Sequence, residues 1–150
     1  MNSLKCVAIA AAIGLAACGG PPASGGPAGP AEVSRAAPNQ VEGAYSGTMF
    51  VEGSGFTGRM QLQTERGGVV RGTFEISQPM QASGVVEGTV VGDQLSLTVR
   101  YSNNPMTGCD GSVAGTLVVS DGGSLLVGPV TVTDCGEPLR GSMRFAQAPR

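Results

Sequence analysis

Leu95-Ser96-Leu97-Thr98-Val99-Arg100-Tyr101 places an apolar residue at every second position and a polar one between. Side chains along a strand point to opposite faces in turn, so this run reads as a strand with one face on a core and one on water. The same alternation recurs on both sides of it. Phe56, Gly58, Met60 and Leu62 alternate with Thr57, Arg59, Gln61 and Gln63, and Val70, Gly72, Phe74 and Ile76 with Arg71, Thr73 and Glu75. Leu139, Gly141, Met143 and Phe145 alternate with Arg140, Ser142 and Arg144. Strands of the same kind fit 44–51, 84–91, 112–120 and 125–133. Gly53-Ser54-Gly55, Arg66-Gly67-Gly68, Gly92-Asp93 and Asp121-Gly122-Gly123 read as the turns between them. No helical period appears in this part of the chain. The pattern predicts an all-β domain, an antiparallel up-and-down meander of about eight strands.

A loose repeat runs through these strands: Gly47-Thr48, Gly72-Thr73, Gly88-Thr89, Gly115-Thr116 and Gly141-Ser142. Each glycine falls on the apolar face and each hydroxyl on the outer one. Glycine inside a strand marks a tight bend or a close approach of backbones. A column of them predicts strongly coiled strands that close on themselves, which also removes exposed sheet edges. A small barrel is the expected architecture, with a β-sandwich as the alternative. Gly43-Ala44-Tyr45 heads the first strand and Arg144 lies in the last. In these positions the chain resembles the calycins, the lipocalin-like and avidin-like barrels, whose first strand carries Gly-x-Trp with an arginine packed across the aromatic. The resemblance implies a barrel that holds a ligand. Tyr45 stands here in place of the tryptophan, and no helix follows the last strand.

Residues 1–17 have the layout of a secretory signal: a polar start with Lys5, an apolar run and small residues at its end. The run is shorter than the ~20 residues needed to span a bilayer. Leu15-Ala16-Ala17-Cys18 resembles the lipobox of bacterial lipoproteins. That resemblance implies cleavage before Cys18, a diacylglycerol on its sulfur and acylation of the freed amine, for example by palmitate. Gly19 in place of Asp implies an outer-membrane destination, with the domain facing the periplasm or, alternatively, exposed at the surface. Residues 18–38 are then a lipidated cysteine and a Gly/Pro/Ala tether with almost no large apolar side chain to bury. Residues 39–150 form the single β-barrel domain.

With Cys6 in the signal and Cys18 lipidated, Cys109 and Cys135 remain, in a compartment where disulfides persist. The midpoint between them falls in Asp121-Gly122-Gly123, so a hairpin folded there sets them face to face. A structural disulfide is expected, since neither Cys-x-x-Cys nor a helix start is present to make a redox pair.

The composition excludes much chemistry. The 150 residues hold no histidine and no tryptophan, which removes the usual Ser-His and Cys-His pairs and the commonest zinc ligand. Without the signal, 8 arginines face 11 acids, a net charge of −3 with no basic cluster, so nucleic acid is not an expected partner. Gly53-Ser54-Gly55-Phe56-Thr57-Gly58 matches Gly-x-Gly-x-x-Gly, but a strand follows instead of the helix that a dinucleotide fold requires. Asp110, Asp134 and Glu137 should gather at one hairpin mouth, where turn residues are a better reading than a calcium site. No enzyme, cofactor or metal is expected. Two functions remain. The first is a ligand carrier for a small apolar or amphipathic molecule, with Tyr45, Met49, Met60, Tyr101 and Met143 as candidate contacts and 78–83 and 101–107 as rims. The second is an accessory lipoprotein that docks on an envelope protein through outward Val69, Val85, Val91 and Val118.

Overall fold

The computed structural model describes residues 40–148. The signal sequence, Cys18 and the tether lie outside the described residues. Eight strands follow one another: β1 Gly43–Val51, β2 Ser54–Thr64, β3 Val69–Gln78, β4 Ala82–Val91, β5 Gln94–Tyr101, β6 Gly111–Ser120, β7 Leu125–Asp134 and β8 Glu137–Gln147. Each pairs antiparallel with the next, and β8 returns to β1 to close a barrel in sequence order. The sandwich alternative is thereby set aside. Every strand has two neighbours, so no edge is left for another chain to pair with.

The alternation does what a period of two demands. Tyr45, Met60, Leu62, Val70, Val86, Leu95, Leu117, Leu126, Met143 and Phe145 are fully buried inside. Arg59, Arg71, Arg100 and Arg144 project outward with the threonines and serines. Apolar-in and polar-out is the reverse of a membrane-spanning barrel, whose outer band must face lipid. The glycine column turns the strands inward: a Cβ at Gly47 would overlap the Arg144 carbonyl of the neighbouring strand. Such an approach is open only to a residue without a side chain.

Three details depart from the expected pattern or interrupt it. The first turn is Glu52-Gly53 alone, both in the left-handed region, with Ser54 and Gly55 already in β2. Two positive-φ residues are what a tight hairpin joining twisted strands needs. The β2–β3 register slips by one residue beyond Thr57, so β3 carries a bulge near Ser77. In β7, Pro129 offers no N–H, and direct β6–β7 pairing skips Thr116 and Leu117 opposite that stretch.

The meander gives the barrel two ends. The turn at 66–68, the Gly92-Asp93 turn and the turn at 121–123 cluster at one, together with the incoming chain at 40–42. The Glu52-Gly53 turn, the loops 79–81 and 102–110 and the Cys135-Gly136 turn form the other.

Candidate functional site

At the end where the chain enters, the barrel is sealed. Val41 is completely buried, and it is clasped by Thr64, whose hydroxyl accepts from the Val41 amide at 3.1 Å and donates to its carbonyl at 2.8 Å. The Tyr45 hydroxyl crosses to the Gly123 carbonyl at 2.6 Å. Burial pushes the Tyr45 phenol above its ordinary pKa, because the charged form would lose its solvation. The Gln147 amide donates to the Ser124 carbonyl at 2.7 Å and the Gln147 side chain to that of Glu42, tying both ends of the described chain to this floor.

The opposite end stays open. A cavity of about 200 Å³ enters the barrel there, walled by Met49, Val51, Phe56, Phe74, Ile76, Val113, Val132 and Leu139. Phe74, one of these wall residues, meets the ring of the fully buried Phe145 at 6.0 Å between centroids, tilted by 58°. Such tilted pairs are favourable and hold both rings in place. The rim is supplied by Met80 and Ala82 from one side and by Asn104, Met106 and Thr107 from the other. The bulge in β3 sits at this rim, as bulges beside binding sites often do.

The long loop 102–110 is shaped around Asn104, which is nearly buried at 8% exposure. Its carbonyl accepts from the Thr107 and Gly108 amides at 3.2 and 2.7 Å, and its side-chain Oδ1 accepts from the Met106 amide at 2.9 Å. The disulfide Cys109–Cys135, 5.2 Å between Cα atoms, fastens the end of this loop to the β7–β8 turn. The bridge closes the β6–β7 hairpin where Gly111 pairs with Asp134, two residues inside Cys109 and one inside Cys135.

Tyr101 is the polar centre of the mouth. Its ring lies over Gly111, directly across the β5–β6 ladder, where any side chain would collide with the phenol. The hydroxyl donates to Asp134 Oδ1 at 3.1 Å. Burial, the hydrogen bond to Asp134 and that carboxylate's charge together push the Tyr101 pKa up to about 12. Asp134 and Asp110 do not converge on a shared site. Asp110 accepts from the Asn103 amide at 2.9 Å, and among the described residues no three acidic, cysteine or histidine groups gather for a metal. Gly53 to Gly58 is a hairpin turn and the start of β2.

Of the residues singled out from the sequence, Met49 and Tyr101 stand on the cavity. Tyr45, Met60 and Met143 belong to the packed half, each about 1% exposed and absent from the cavity wall. Arg144 does not lie across Tyr45 as the calycin pattern implies. Its side chain is outside, because the parity of β8 points Met143 and Phe145 inward. Cys18 lies outside the described residues. Phe56, Phe74 and Asp134 also line the cavity and lie outside the sequence candidates, while Asn104 falls in the expected rim 101–107. The signal available for the two phenylalanines was their place as inward residues near the mouth-end turns.

No family model matches the chain, and no curated protein matches it. Among solved structures it is similar to a redesigned β-barrel, at 19% identity and a TM-score of 0.56, over 73% of this chain and 92% of that one. That likeness concerns the eight-stranded barrel fold alone.

Proposed function

We propose that this chain is a lipid-anchored envelope protein whose barrel holds a small apolar or amphipathic ligand without transforming it. The observation that carries this reading is the cavity at one end of an otherwise packed barrel. Its apolar walls and few polar rim groups have the character of ligand sites. At about 200 Å³ it is smaller than a drug-sized pocket and larger than an apolar cavity that accepts benzene. One ring or a short alkyl segment fits, with any longer part protruding from the mouth. Residues 40–42 lead into the barrel at its sealed end, opposite the mouth. The lipobox resemblance, the Gly19 position and the periplasm-compatible disulfide support an outer-membrane location facing the periplasm.

Two measurements test it. Native mass spectrometry of the protein purified from its membrane should show a stoichiometric extra mass that is lost on denaturation, beyond the acyl groups. Labelling cells with an alkyne-bearing palmitate should mark the wild-type chain and not Cys18→Ala. A bare mass that also fails to take up any small apolar probe would exclude the carrier role.

One observation favours the accessory role instead. Val91 and Val118, 67% and 52% exposed, flank Gln94 across three neighbouring strands on the outer face. Val91→Glu with Val118→Glu should abolish recovery of an envelope partner by crosslinking if this patch docks one, and should leave ligand uptake unchanged.

A further inference from the structure

We infer that the ligand of this cavity carries a cationic or strongly hydrogen-bond-donating head, an amphipathic amine, and is not a fatty acid; the inference rests on the carrier reading above. The cavity wall includes one charged side chain, Asp134. Its Oδ1 accepts from the Tyr101 hydroxyl, and both side chains belong to the cavity wall. The other polar groups on the wall, Ser83, Asn104 and Thr107, are neutral.

Among the described residues, no arginine lies on the cavity wall with Asp134. Arg100 is held on the outer face by Glu87 at 2.8 Å, and Arg140 is exposed on the outside of β8, while Glu52, Asp110 and Glu137 add negative charge to the same end. A carboxylate head seated above the apolar walls would face like charge in a site partly shielded from water, where charge interactions are stronger. An ammonium head would instead form a charge-assisted hydrogen bond to Asp134, with its alkyl or aromatic body between Phe56, Phe74 and Leu139.

The test compares three probes of equal chain length, octylamine, 1-octanol and octanoate, titrated by calorimetry into the full chain carrying Cys18→Ser. Octylamine should bind about tenfold more tightly than 1-octanol, and octanoate more weakly than either. Asp134→Asn keeps an acceptor for the Tyr101 hydroxyl and removes the charge. It should cost octylamine about the same factor and cost 1-octanol, whose head is neutral, clearly less. Octanoate binding as tightly as octylamine, or an octylamine affinity indifferent to Asp134→Asn, would overturn the inference while the cavity reading stands. Failure of all three probes would overturn the cavity reading itself. An unchanged thermal midpoint for Asp134→Asn confirms that the comparison is made on a folded barrel.

Discussion

At one end of this barrel Val41, Tyr45 and Phe145 are buried under the incoming chain and a hydrogen bond to the Gly123 carbonyl. At the other, Met49, Phe56 and Phe74 line an open cavity. Both ends are built from the same alternating strands, with similar inward residues. The difference arises outside the strands. Residues 40–42 fold over the first end and fill it. At the second, the longest loop satisfies its own backbone through Asn104 and is fastened sideways by the Cys109–Cys135 disulfide, so it frames the mouth without entering it. The lesson is that closure of a small barrel depends on what its loops and flanking chain do, while the strands settle only the wall.

The sharpest way to break this comparison is to truncate a large side chain in each half. Phe145→Ala removes a wholly buried ring from the packed half and should cost about 3–5 kcal/mol in urea unfolding. Phe56→Ala removes a partly exposed ring beside existing space and should cost under about 2 kcal/mol. Equal losses would mean that the two halves are packed alike. Removing the bridge with Cys109→Ser and Cys135→Ser should cost about 3–4 kcal/mol on the chain-entropy account of a crosslink spanning 26 positions. Hydrogen exchange should then quicken at the Thr107 and Gly108 amides and stay slow at Val41.

Tyr45→Phe leaves the buried Gly123 carbonyl without its partner and should cost about 1–3 kcal/mol, with the mouth unaffected. The smallest effect is alkaline. Both tyrosines have pKa values raised above 10.0, Tyr101 to about 12, so tyrosinate absorbance should develop above pH 10 in the folded protein. A group whose folded pKa is raised contributes stability that is present in full below its unfolded pKa. The contribution of Tyr101 should therefore be lost as pH rises from about 10 to about 12, and Tyr101→Phe should remove that part of the dependence.

Much of the wall was legible in the sequence, because a period of two fixes both the strand and the face of each residue. Leu95, Leu97 and Val99 had to point inward together, and the Gly47 column had to bring strands close. Cys109 and Cys135 were readable as partners since their midpoint is a turn. The position of the cavity was not readable. Tyr45 shares the parity of Met49, and nothing in the local pattern of β1 says that 40–42 will seal the Tyr45 end, nor that Met143, the ladder partner of Met49, will be packed over. Asp134 read as a turn residue until the β5–β6 register brought the Tyr101 hydroxyl over Gly111 and onto its carboxylate. The Tyr101–Asp134 contact joins residues 33 positions apart.

Methionine methyl groups report on both halves at once: Met49, Met80 and Met106 stand at the cavity, and Met60 and Met143 are in the packed half. The most direct test is a methyl NMR titration of the chain, labelled at methionine and carrying Cys18→Ser, with 1-octanol. The account predicts saturable shifts at Met49, Met80 and Met106 and still signals from Met60 and Met143. Shifts spread over all five, or confined to Met60 and Met143, would contradict a barrel that is packed at one end and open to a ligand at the other.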